Sequence, residues 1–66
     1  MKYILIDVKG GDMFTEEFDD REKALERADA EWNHLSNHDK SKREAFYLLE
    51  TENPDTLDGD IIKTWR

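Results

Sequence analysis

The chain has 66 residues, 36% of them hydrophobic and 41% charged, with a formal net charge of −7 and no cysteine. A single domain of this size hides only about 60% of the surface its unfolded chain exposes, which excludes a second lobe or a deep substrate cleft. The missing cysteine removes disulfides, thiolate nucleophiles and cysteine metal sites, and the acidic balance opposes direct contact with nucleic-acid phosphates.

Two Trp, two Tyr and three Phe, set in periodic apolar runs, separate this chain from disordered sequences of similar polarity. The opening MKYILIDVKGG has about six apolar positions interrupted by Asp7, too short and too charged for a signal peptide or a membrane span. A small domain without disulfide staples fits a soluble, cytoplasmic protein that makes no membrane contact.

The first predicted strand is Tyr3 to Val8, apolar on both faces apart from Asp7 and therefore central in a sheet. Lys9-Gly10-Gly11-Asp12 supplies residues that tolerate positive φ in a tight hairpin. The chain returns antiparallel through Met13 to Phe18, where Glu16 and Glu17 mark an edge strand.

Asp19 with Glu22 three residues later resembles a capping box and sets the start of a helix. At 100° per residue, Ala24, Leu25, Ala28, Trp32 and Leu35 fall on one stripe about 100° wide. The helix is expected to stop at Leu35, and Ser36 with Asp39 opens a second short helix to about Lys42.

Ala45 to Glu50 is the second doubly apolar run, again central. Asn53-Pro54-Asp55 ends it, Asp58-Gly59 completes the turn, and Asp60 to Trp65 returns as a more polar last strand. The expected fold is α+β: a ββαββ domain whose four-stranded antiparallel sheet has order 2-1-3-4, with one main helix on one face. About sixteen helical residues span roughly 24 Å, matching about seven strand residues.

The segments MFTEEFD, EWNHLS and KREAFYLLE lie in a stretch that covers most of the chain and resembles short uncharacterised proteins of gut Firmicutes. The resemblance implies a bacterial cytoplasmic protein of accessory or mobile-element origin. It brings no catalytic motif to transfer.

The chemistry-bearing residues read mostly as structure. His34 and His38 are four apart, but the Ser36 cap separates them and no third ligand is specified, so no metal site is expected. Asp55, Asp58 and Asp60 around Gly59 lack the ligand alternation of a calcium loop and read as turn residues. Asp7 is the one acid inside a strongly apolar strand; pointed at an uncovered face it would be solvated or paired with a cross-strand base such as Lys63. With no glycine-rich elbow, phosphate loop or dinucleotide fingerprint, no enzyme and no cofactor are expected. Lys40, Lys42 and Arg43 precede Phe46 and Tyr47, but those aromatics read as one strand residue for each face.

Two surfaces remain. One helix covers one side of four strands, which leaves an apolar sheet face that is either partly covered by Trp65 or the 53–59 loop or exposes a few hundred Å². Alternation groups Tyr3, Leu5, Tyr47 and Leu49 on one face and Ile4, Ile6, Phe46 and Leu48 on the other; the first set is the expected interaction surface, for another protein or a homodimer. The alternative is an acidic helix face, Glu22, Glu26 and Asp29, imitating nucleic acid to inhibit a DNA- or RNA-binding protein.

Overall fold

Two consecutive glycines at φ 59° and 85°, Gly10 and Gly11, close the first hairpin in the primed geometry that matches strand twist. They join β1 (Lys2–Lys9) to β2 (Asp12–Phe18), with Lys9 opposite Asp12. The computed structural model describes residues 1–56 and 58–66. After the hairpin come α1 (Arg21–His34), α2 (Asn37–Ser41), β3 (Arg43–Asn53) and β4 (Asp58–Thr64). The sheet order is β2-β1-β3-β4, every neighbouring pair antiparallel, so the fold is the expected α+β arrangement.

The cap of α1 lies one residue later than the sequence suggests. Asp20, in extended conformation, accepts from the Glu22 backbone N–H at 3.2 Å. Asp19 is instead bonded to the Lys2 ammonium, which leaves its neighbour to cap the helix. The second cap is as expected: Ser36 Oγ accepts from the Asp39 N–H at 3.1 Å.

Helix α1 lays Ala24 and Ala28, both fully buried, onto the sheet, where small side chains let the backbones approach. Leu5, Phe46, Leu48 and Trp65 complete this core, with Tyr3, Phe18, Leu25, Trp32 and Ile62 packed against it. Phe46 is its centre: its ring lies 5.2 Å from Trp32 and 5.6 Å, edge-on, from Trp65.

Three register shifts shape the sheet. Val8 pairs with Ala45 but Lys9 with Arg43, so Glu44 is an extra residue. That bulge brings Arg43 to the helix side and leaves the Glu44 carboxylate to accept from the Gly11 N–H at 3.1 Å. On β4, Leu48 pairs with Lys63 but Leu49 with Ile61, so Ile62 is extra and turns into the helix-side core. Further along, Glu50 pairs with Asp60 and Asn53 with Asp58. Between them Gly59 (φ 156°) approaches β3 so closely that a Cβ would lie 1.9 Å from the Glu50 carbonyl oxygen.

Candidate functional site

The register between the two central strands decides what each face presents. Leu5 lies opposite Leu48, and Ile4 opposite Leu49. Tyr3 and Leu5 therefore share the helix side with Phe46 and Leu48, while Tyr47 and Leu49 lie with Ile4 and Ile6 on the open side. This corrects the grouping of Tyr3, Leu5, Tyr47 and Leu49. Both strands are apolar on both faces, so alternation within each could not say which parity of one meets which parity of the other.

Across the open face the register sets three rows. Met13, Val8 and Ala45 form one; Thr15, Ile6, Tyr47 and Thr64 the next; Glu17, Ile4, Leu49 and Ile61 the third. The centre is already out of water: Ile4, Ile6 and Leu49, against which Val8 and Tyr47 pack, are 5% exposed or less. The apolar exposure expected over the whole face is concentrated at its flanks, where Met13 and Ile61 are more than half exposed. Among the described residues no hydrophobic side chain of a helix packs against the Ile4, Ile6 and Leu49 cluster.

The acidic helix face is also altered by the fold. Asp29 accepts a 2.6 Å hydrogen bond from the Trp65 indole N–H and a 3.2 Å bond from the Lys63 ammonium. The indole bond, then the lysine, holds its carboxyl below the ordinary carboxylate range. Asp29 is thus a tie between α1 and β4, leaving Glu22 and Glu26 as the exposed members of the predicted trio. The Lys63 ammonium also lies 5.0 Å from the Trp65 ring centroid. Its sequence signal was Asp29's place four residues after Leu25 and next to Ala28, on the margin of the apolar stripe.

Asp7 points to the helix side and pairs with Arg43 at 3.2 Å, not with Lys63. The angle is too poor for a hydrogen bond, and among the described residues Asp7 Oδ1 and Arg43 Nε have no other partner. They line a cleft of about 480 Å³ with Arg27, Glu31 and His34 under the end of α1. The basic cluster is dispersed in the same way: Lys40 lies over the Trp32 ring, and Arg43 also donates to the Asp39 carbonyl.

His34 ends α1 and His38 lies in α2, so the two sit on different helices. Asp55, Asp58 and Asp60 are exposed, and the Asp55 N–H closes a turn onto Asn53 Oδ1. Among the described residues no helix is long and apolar enough to cross a membrane. Comparison of the chain with protein-family models, with curated proteins and with solved structures gives no match.

Proposed function

We propose that this protein is a small non-catalytic interaction module that binds another polypeptide through the open face of its sheet. What supports the reading is the apolar run across that face, from Val8 and Ile6 through Tyr47 and Leu49 to the exposed Ile61, with no hydrophobic side chain of a helix, among the described residues, packed against its centre. A flat surface with a desolvated centre and an exposed apolar margin suits an apolar partner surface, because binding removes the margin from water without uncovering buried polar groups.

The test compares what folded wild-type protein and its variants retain from a cell extract, in low and high salt. The expected result is one polypeptide held by the wild type and by the double variant Glu22→Gln/Glu26→Gln, at either salt, and lost with Tyr47→Ala or Ile61→Lys. Retention that disappears with salt and with the two glutamate changes, yet survives Ile61→Lys, would sink the open-face reading in favour of acidic mimicry.

A further inference from the structure

The two edges of the sheet are protected unequally. β4 carries a bulge at Ile62 and another irregularity at Gly59, features that spoil an edge as a template. β2 is regular over Asp12–Phe18 and pairs without a register shift. Two of its three charges are engaged within the molecule: Glu16 pairs with Arg27 at 3.4 Å and Glu17 with Lys2 at 3.6 Å, while Asp12 sits at the hairpin end. The same strand exposes Met13 on the open face and Phe14, 58% exposed, on the helix side.

The hairpin fixes which backbone groups of β2 are free. A two-residue turn makes Lys9 and Asp12 a hydrogen-bonded pair, so Phe14, Glu16 and Phe18 also bond inward to β1. The same alternation carried across the sheet turns Phe46 toward β4, where its carbonyl accepts from the Trp65 N–H at 2.9 Å. Met13, Thr15 and Glu17 therefore direct their N–H and C=O groups outward, with no partner among the described residues.

We infer that β2 pairs antiparallel with β2 of a second copy of this chain, about a two-fold axis at Thr15. In that register Thr15 meets Thr15, and Met13 meets Glu17, so all three outward-facing residues complete their backbone bonds. Sliding by two residues one way sets Asp12 against Glu16, and the other way sets Glu16 against Glu16; both bring like charges together. Only the Thr15-centred register leaves no like pair while using the whole strand. It also places the two Phe14 rings diagonally across the junction, within the roughly 7–8 Å reach of aromatic neighbours, which covers the most exposed aromatic ring of the strand. The product is one eight-stranded sheet with both copies of α1 on the same side and both open faces joined.

The inference stands independently of the open-face reading, since it uses the other end of the sheet from Tyr47 and Ile61. Its test is the solution mass by light scattering and sedimentation over a concentration series. The wild type and Ile61→Lys are expected to dimerise with a Kd of about 100 μM or tighter. Thr15→Pro, which removes an outward N–H, raises that Kd at least about 30-fold while the circular dichroism remains native. Should Thr15→Pro unfold, Thr15→Lys takes its place: two ammonium groups then face each other on the axis, and dissociation is expected to be partly reversed by salt. A wild type that stays monomeric throughout the series, or a dimer indifferent to the folded Thr15 variant, overturns the pairing.

Discussion

Phe46 and Tyr47 are neighbours on β3, yet they face different environments. Phe46 is 2% exposed, enclosed by Trp32 and Trp65 under a helix. Tyr47 is half-buried among residues of its own sheet, opposite Ile6 on β1 and Thr64 on β4. On the helix side a second layer excludes water. On the open side Ile4, Ile6 and Leu49 are buried as well, and exposure is left to an apolar margin at Met13 and Ile61. Tyr47 can therefore be altered at modest cost, and Phe46 cannot.

The sharpest way to break this contrast is to truncate both residues. Phe46→Ala is expected to cost about 4 kcal/mol through the cavity left between two tryptophans. That is comparable to the total of about 3–10 kcal/mol for a domain of this length, so the variant should be largely unfolded by circular dichroism. Tyr47→Ala is expected to cost about 1 kcal/mol in urea denaturation. Equal costs would mean that Tyr47 is held by the Ile4, Ile6 and Leu49 cluster as tightly as Phe46 is by the two tryptophans.

Gly59→Ala comes next, at about 2–3 kcal/mol, because the new Cβ collides with backbone at Glu50 and β4 must move away. A native midpoint for this variant would show that the β3–β4 pairing yields easily. Trp65→Phe keeps the ring against Phe46 but removes the indole donor to Asp29, at a cost of about 1–2 kcal/mol.

The smallest effect is on pH dependence. Asp29 has its carboxyl held below the usual range by Trp65 and Lys63. The stability this supplies is present above the unfolded-state carboxylate pKa of about 3.9 and is lost as pH falls through the lower folded-state value. Asp29→Asn is expected to be less stable than wild type at neutral pH and to show a shallower acid loss below about pH 4 in thermal melts. An unchanged acid slope would mean that the tie does not hold α1 to β4 in solution.

Local chemistry was legible in the sequence to the extent that single residues specify it. The Gly10-Gly11 hairpin, the Ser36 cap and the α1 stripe with Ala24 and Ala28 all rest on backbone preference or periodicity within one segment. The sequence alone sets the cap of α1 one residue early because Asp19 and Asp20 are equally suited to it locally; Lys2, seventeen residues before Asp19, decides between them. The tie at Asp29 needed the position of Trp65, thirty-six residues away, and the Asp7–Arg43 pair needed the bulge at Glu44.

The sequence by itself determined the strand order, the antiparallel sense and the one main helix, because two doubly apolar runs must be central and one amphipathic helix must cross between them. Only the tertiary structure decided which side of each strand the helix covers. A change of one residue in the pairing of β1 with β3 would exchange Leu48 for Leu49 opposite Leu5, and no pattern within either strand opposes that exchange. What opposes it is the fit of Phe46 between Trp32 and Trp65, contacts made by three separate elements at once.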